Sequence, residues 1–305
     1  MLTKCRNILT GAVLALALIA PGLAHADSDT GPRLYADSQL AVRDRFSDEI
    51  VGTGPDLVFI PGLASSRATW KATADRLKDH YRLHLIQVAG FAGEPARANA
   101  AGPVLVPTAE AIDSYLQEQH LTPATLVGHS LGGTMILYLA IHHGADLKKA
   151  MVVDALPFYA VLMAGPNATA ESMQAMAGGI RAGKSKMSDP QRAQMLASMA
   201  TAQSDKDTIF AWGKASDDST VDNAMADDLT LDLRPDIAKI TTPITLLQPD
   251  YTSVGAPPGS THAMYVAAYA AAPSVKVVEI ANSVHFIMLD QPAAFGAALD
   301  TFLSQ

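Results

Sequence analysis

The stretch Ala124-Thr125-Leu126-Val127-Gly128-His129-Ser130-Leu131-Gly132-Gly133-Thr134 constrains the fold of this 305-residue chain more than any other. A short apolar run ends on Gly128-His129-Ser130-Leu131-Gly132, and an apolar-periodic segment with Leu131, Met135, Tyr138 and Leu139 begins at once. The pattern predicts a strand, a tight turn and a helix, with Gly-x-Ser-x-Gly at the turn. A serine on so sharp a turn takes a strained backbone. A side chain two residues to either side would collide with the neighbouring strand or helix, so glycine is needed there. The turn gains a hydroxyl lifted clear of a sheet at a helix N-terminus, where free N–H groups and the helix dipole favour developing negative charge. Ser130 is therefore the first candidate for chemistry.

Around this turn the chain alternates strands and helices. Residues 34–54 read as one or two edge strands, and Asp56-Leu57-Val58-Phe59-Ile60 as a strand buried on both faces, ending at Pro61-Gly62-Leu63. A helix with Trp70, Ala74 and Leu77 on one side follows, then a strand at 83–88. Thr108 is expected to cap a helix whose buried stripe is Ile112, Tyr115 and Leu116. Further strands are expected at 150–154, 244–248 and 275–280, a helix over 262–271, and a last helix from Pro292 burying Phe295, Leu299 and Phe302. This rhythm implies right-handed crossovers and a mainly parallel sheet.

The rhythm stops between Asp154 and Pro243. Seven of the chain's twelve methionines fall there, namely Met163, Met173, Met176, Met187, Met195, Met199 and Met225. Flexible thioethers suit either the roof of an apolar pocket or a small core of the segment's own. Phe158, Tyr159, Phe210 and Trp212 are further candidates for a pocket lining, and Phe91 stands where a loop would skirt its mouth. Asp217-Asp218 and Asp227-Asp228 read as solvated turns.

The front end reads as a targeting segment. Lys4 and Arg6, the apolar run 8–20 and Ala24-His25-Ala26 predict a signal peptide over 1–26 and a secreted or periplasmic protein. The apolar run is too short to span a bilayer comfortably, so no membrane span is expected after cleavage. Cys5, the single cysteine, leaves with it, so no disulfide holds the remaining 279 residues and a hydrophobic core must. Those residues carry 20 basic and 30 acidic side chains, a balance that argues against nucleic acid or an anionic membrane as the main partner.

Gly128-His129-Ser130-Leu131-Gly132-Gly133 resembles the nucleophile elbow of the α/β-hydrolase superfamily, and the likeness can be followed over most of the chain. It implies an α/β-hydrolase fold, with 27–154 and 244–305 as the core and 155–243 as an inserted helical cap. It implies that Ser130 is the nucleophile and that His285, after the last strand, is the base. The order Ser…Asp…His points to Asp250 as the acid. Asp154, one strand earlier, is the rival, because some members carry the acid there. Two backbone N–H groups, those of Leu63 and Leu131, would form the oxyanion hole, although Pro61-Gly62 stands where the family has a His-Gly pair.

His80, His84, His120 and His262 read as surface or loop residues, and His142-His143 as the end of the elbow helix. No histidine pair has zinc spacing, so neither metal nor cofactor is expected. The expected function is a serine hydrolase cleaving an ester-like bond of a small, fairly apolar acyl substrate through an acyl-enzyme. The alternatives are a cofactor-free C–C hydrolase or perhydrolase on the same scaffold, and a non-catalytic binding protein with a hydrolase fold. Oligomeric state is not readable from the sequence.

Overall fold

The computed structural model describes residues 33–183, 188–197 and 199–305. The predicted signal peptide and Met187 lie outside the described residues.

Eight strands form one sheet. They are β1 (Gln39–Val42), β2 (Phe46–Val51), β3 (Asp56–Ile60), β4 (Arg82–Val88), β5 (Ala124–His129), β6 (Leu147–Val153), β7 (Ile244–Pro249) and β8 (Val275–Ile280), in the order β1-β2-β4-β3-β5-β6-β7-β8. The pairs β1/β2 and β2/β4 are antiparallel, and every other neighbouring pair is parallel. Eleven helices are assigned among the described residues. Those outside the 154–243 segment are α1 (Lys71–Leu77), α2 (Leu105–Glu118), α3 (Leu131–His142), α9 (Ser260–Ala268), α10 (Ile287–Asp290) and α11 (Pro292–Ser304). Between β6 and β7 lie α4 (Ala160–Ala164), α5 (Ala170–Arg181), α6 (Asp189–Ala197), α7 (Gln203–Ala215) and α8 (Asp218–Thr230).

The continuous apolar runs of the central strands make sense because both faces of the sheet are covered. Strand side chains alternate between faces. Val58 and Ile60 of β3, Leu126 of β5, Ala150 and Val152 of β6 and Leu246 of β7 join one core with α2, α3 and α9. Leu57 and Phe59, Val127, Met151 and Val153, and Leu247 point the other way and pack with α1 and α11. There Trp70 sits between Phe59 and Phe295, with ring centroids 5.4 and 6.1 Å away.

Several local expectations are corrected. Helix α2 starts at Leu105, so Thr108 lies inside its first turns, fully buried. The cap is supplied from elsewhere, by Asp227, whose Oδ2 accepts from the Val104 and Leu105 N–H groups at 2.6 and 3.1 Å. Phe91 is packed in the core at 0% exposure instead of edging a pocket. His84 is buried in β4, because its side of the strand faces Asp48 on β2 (Nδ1 to Oδ2, 2.9 Å) and the Tyr115 ring. Burial lowers the His84 pKa, but Asp48 and Asp56 outweigh it and hold the imidazole above its usual value. Between β6 and β7, Met173 and Met225 pack with Phe158 and Leu229 in a small separate core, whereas Met163 and Met176 are exposed.

Candidate active site

The elbow forms where β5 meets α3. Ser130 has φ 52 and ψ −121, a left-handed φ that an L-residue adopts at a cost of about 1–3 kcal/mol. It is pinned on both sides, by its N–H to Val153 O at 2.9 Å and by the Thr134 N–H donating to its carbonyl at 2.9 Å. Although it stands at the N-cap position, its side chain makes no capping hydrogen bond, so the hydroxyl is not consumed by the fold. The glycines are steric requirements. A Cβ on Gly128 would lie 2.5 Å from Gly132 O, and one on Gly132 would lie 2.5 Å from Ile60 O and 2.7 Å from Pro61 O. Gly132→Ala is therefore expected to push α3 away from the end of β3 and to cost about 3 kcal/mol, read as a lowered urea midpoint with an unchanged m-value.

Three strand ends converge beside this turn. Asp154 directly follows β6, also with a left-handed φ of 50, and its N–H donates to Leu247 O of β7 at 2.8 Å. His285 sits in the loop after β8, and its Nδ1 lies 2.6 Å from Asp154 Oδ2. The same carboxylate accepts from the Tyr251 hydroxyl at 2.7 Å and from the Tyr265 hydroxyl. Burial raises the Asp154 pKa, but the His285 ring and these two hydroxyls outweigh it and hold the carboxyl below its usual range. A carboxylate accepts only, so Nδ1 carries the proton that faces Asp154, and Nε2 is the ring nitrogen turned away from it.

Of the two candidate acids, the structure brings Asp154 and not Asp250 to His285. Asp250 does not stand behind the ring. Its Oδ2 accepts from the Thr252 hydroxyl at 2.9 Å and the Asn282 N–H at 3.0 Å, and its Oδ1 accepts from the Thr252 N–H at 3.2 Å. It ties the loop after β7 to the loop after β8, and Asp154, the rival, holds His285.

His129, the variable residue of the turn, is wholly buried. Its ring lies 4.5 Å from the His285 ring and 4.5 Å from Phe286, with Nε2 3.1 Å from His285 O. Burial, reinforced by His285, pushes its pKa down to about 3, so it is a neutral spacer that sets the height of the His285 backbone. Leu63 and Leu131 flank Ser130. Gly62 approaches so closely that a Cβ there would be 3.0 Å from Ser130 Cβ. Leu131 opens α3, where an N–H has no acceptor within the helix, and the Leu63 N–H donates to no other described residue. No hydrogen bond joins the Ser130 hydroxyl to His285 among the described residues.

The Asp227-Asp228 pair is not a solvated turn. Both acids lie in α8, where Asp228 is 9% exposed. Burial, with Asp227 adding to it, pushes the Asp228 pKa up to about 7. Asp217 caps α8 through the Thr220 N–H at 2.8 Å. Of the aromatic candidates, Phe158 is buried under the Arg234 guanidinium, Phe210 and Trp212 pack on the α1/α11 core, and Tyr159 lies near Asp154 and Asp228.

Among the described residues, one trio brings metal-type ligand atoms within 4.8 Å of one another: Asp113, His143 and Asp146. The Gln117 amide already donates to Asp113 and Asp146 at 2.8 and 3.2 Å, and the trio lies beyond the far end of α3 from Ser130. No described helix is long and apolar enough to cross a membrane.

Residues 57–298 match the alpha/beta hydrolase family. Among curated proteins, the pimeloyl-[acyl-carrier protein] methyl ester esterase of Vibrio vulnificus (strain YJ016) is 35% identical over 109 residues, 36% of this chain and 40% of that protein. The protein of that name in Vibrio cholerae is 34% identical over 112 residues, 37% of this chain and 41% of its own length. The chain thus spans about two fifths of the length of these curated relatives. Among solved structures, a hydrolase from Pseudomonas aeruginosa PA01 superposes with a TM-score of 0.69 at 17% identity, covering 88% of this chain and 99% of that one. The enol-lactonase from Burkholderia xenovorans LB400 gives 0.68 at 16%, covering 85% and 96%. Likeness at such identities speaks to the fold, whereas the family match runs through more than half of the sequence. The chain belongs to the alpha/beta hydrolase family.

Proposed function

We propose that this protein is a serine hydrolase that cleaves carboxylic esters of small, fairly apolar acyl groups, with Ser130 as nucleophile, His285 as base and Asp154 as acid. The observation that carries the reading is the 2.6 Å contact of His285 Nδ1 with the buried Asp154 carboxylate, directly beside the Ser130 turn. The names of the curated relatives support an ester as substrate.

The steps follow from the positions of the groups. Nε2 of His285 takes the Ser130 proton as Oγ bonds to the ester carbon, and the carbonyl oxygen gains the charge. The Leu63 and Leu131 N–H groups receive that oxyanion, each worth about 3 kcal/mol in the transition state. The imidazolium gives its proton to the departing alkoxide, which leaves as the alcohol while the acyl group stays on Ser130. Water, deprotonated by the same ring, then adds to the acyl carbon; the bond to Ser130 Oγ breaks, Oγ takes the proton back from the imidazolium, and the carboxylic acid is released. Asp154 keeps its proton off throughout and stabilises the imidazolium. The helices between β6 and β7 act as a cap over this site.

The test is a panel of methyl and p-nitrophenyl esters with acyl chains of increasing length, with products identified by mass. Acid and alcohol in equal amounts support the reading. Peracid formation, carbon–carbon cleavage of a diketone, or binding without turnover would replace it with one of the alternatives. We also propose export with removal of residues 1–26, tested by N-terminal sequencing of the mature protein from its native host, which should begin at Asp27.

A further inference from the structure

The carboxylate of Asp154 receives one donor more than its two oxygens require. The Tyr265 hydroxyl donates to Oδ1 and the His285 Nδ1–H donates to Oδ2 at 2.6 Å, so those two alone leave neither oxygen of this buried acid bare. The Tyr251 hydroxyl is the third donor. It goes to Oδ2, the oxygen that already holds the ring, at 2.7 Å. Satisfying a buried acid therefore does not account for Tyr251.

Its placement is also strained. Tyr251 has φ 53 and ψ 13, a left-handed backbone that an aromatic residue keeps only where its surroundings impose it. The loops after β7 and β8 do so. The Tyr251 N–H donates to Ser283 O at 3.2 Å, and its carbonyl accepts from the Ala256 N–H at 3.1 Å. The preceding residue, Asp250, is bound through its carboxylate to Thr252 and Asn282, and its carbonyl accepts from the Thr261 hydroxyl at 3.1 Å. The clasp that Asp250 makes between two loops thus fixes the residue whose hydroxyl reaches Asp154. Strain of this kind is characteristic of functional sites.

Two donors on one oxygen have two consequences. A hydroxyl on each oxygen fixes the plane of the carboxylate, and with it the direction in which the Nδ1–H is drawn. A hydroxyl on Oδ2 also takes up part of the negative charge that would otherwise act on the imidazole alone. We propose that Tyr251 is a positioning residue of the triad, which holds the Asp154 carboxylate square to His285 and moderates its pull on the ring, with the Asp250 clasp keeping the hydroxyl in place. This rests on the ester-hydrolase reading above.

Other titratable groups bear on the same network. Tyr265 stands on α9, and Tyr269, which ends that helix, donates its hydroxyl to Ala155 O at 2.8 Å and not to the carboxylate. His129 ends β5 with its ring 4.5 Å from the His285 ring, and Tyr159 precedes α4. Asp290 of α10 acts on Tyr251 through space, and Asp228 of α8 acts on His285. All of these remain when the Tyr251 hydroxyl alone is removed.

Tyr251→Phe makes that change, and kcat and KM for one methyl ester are measured from pH 5 to pH 8. Without Tyr251 the carboxylate pulls harder on the protonated ring, so a higher pH is needed to free the base. The low-pH limb of kcat/KM should therefore move upward by about half a unit to one unit, the scale of one hydrogen bond to a charged group. At pH 6, kcat should fall several-fold while KM stays within about twofold. The position of the limb does not depend on how much of a variant is folded. Tyr269→Phe is the control for packing: it takes a donor from a buried carbonyl, so it should lower Tm by several degrees and leave the limb in place.

Proton NMR supplies a readout that needs no substrate. The Nδ1–H resonance that disappears in His285→Ala should move downfield in Tyr251→Phe, because Oδ2 then has one donor fewer, and should stay in place in Tyr269→Phe. An active wild type whose limb is unchanged in Tyr251→Phe overturns this proposal alone, as does an equal shift of the limb in Tyr269→Phe. A folded wild type inert toward esters overturns the ester reading and the role of Tyr251 together.

Discussion

Ser130→Ala is expected to lower ester turnover by about a million-fold while the protein folds normally, because nucleophile, base and acid act as one unit whose loss is nearly complete when the nucleophile goes. Stability should change little. Alanine pays the same left-handed φ as serine, and the hydroxyl makes no capping hydrogen bond that the fold would miss. Ser130→Gly separates the two aspects of the residue. It removes the same hydroxyl and also relieves the backbone, so it should be equally inactive but more stable than Ser130→Ala by about 1 kcal/mol. Single-turnover kinetics with an activated ester, alongside urea unfolding of both variants, would check this.

The second large effect distinguishes the two acids. Asp154→Asn should lower kcat by about 10⁴-fold, because the amide can donate to Nδ1 and so favours the tautomer in which Nε2 carries the proton and cannot act as base. The amide would also hold the Tyr251 and Tyr265 hydroxyls less well than the carboxylate does. Asp250→Asn should leave kcat within about tenfold of the wild type. It should lower stability by about 1–2 kcal/mol, since it weakens charge-assisted bonds from the Asn282 N–H and the Thr252 hydroxyl that join two loops. If the two variants exchanged these behaviours, the acid would have been placed on the wrong strand.

The turn is legible in the sequence and the choice between Asp154 and Asp250 is not, for a physical reason. Gly128, Ser130 and Gly132 are legible because their requirement is local: each glycine is demanded by atoms of the same turn or of the strand end beside it. The acid is set by lateral relations between strands. Strands β6 and β7 are parallel neighbours, and Val153 is paired with Leu247, so Asp154 and Asp250 both emerge near the loop that bears His285. A left-handed residue at Asp154 turns one carboxylate toward the ring, while the Asn282 N–H draws the other away. Chain order holds neither fact.

The burial of His84 and Asp228 is hidden from the sequence for a related reason. Strand alternation gives His84 a partner only once β2 lies beside β4, and two adjacent acids reveal their separate faces only once α8 has partners on both sides. The apolar patterning of the central strands and of the last helix, by contrast, is legible. Alternate residues of β3, β5, β6 and β7 reach the two cores, and Phe295, Leu299 and Phe302 form the buried stripe of α11.

The measurement that bears most directly on this account is peptide-level mass spectrometry of the folded protein after treatment with a fluorophosphonate, which reacts with a serine hydroxyl only where a base and an oxyanion site activate it. One phosphonyl group on the peptide containing Ser130, strongly reduced in His285→Ala and in Asp154→Asn but retained in Asp250→Asn, is the expected result. An unmodified Ser130 in the folded wild type, or equal labelling of Ser130 in His285→Ala, would contradict it.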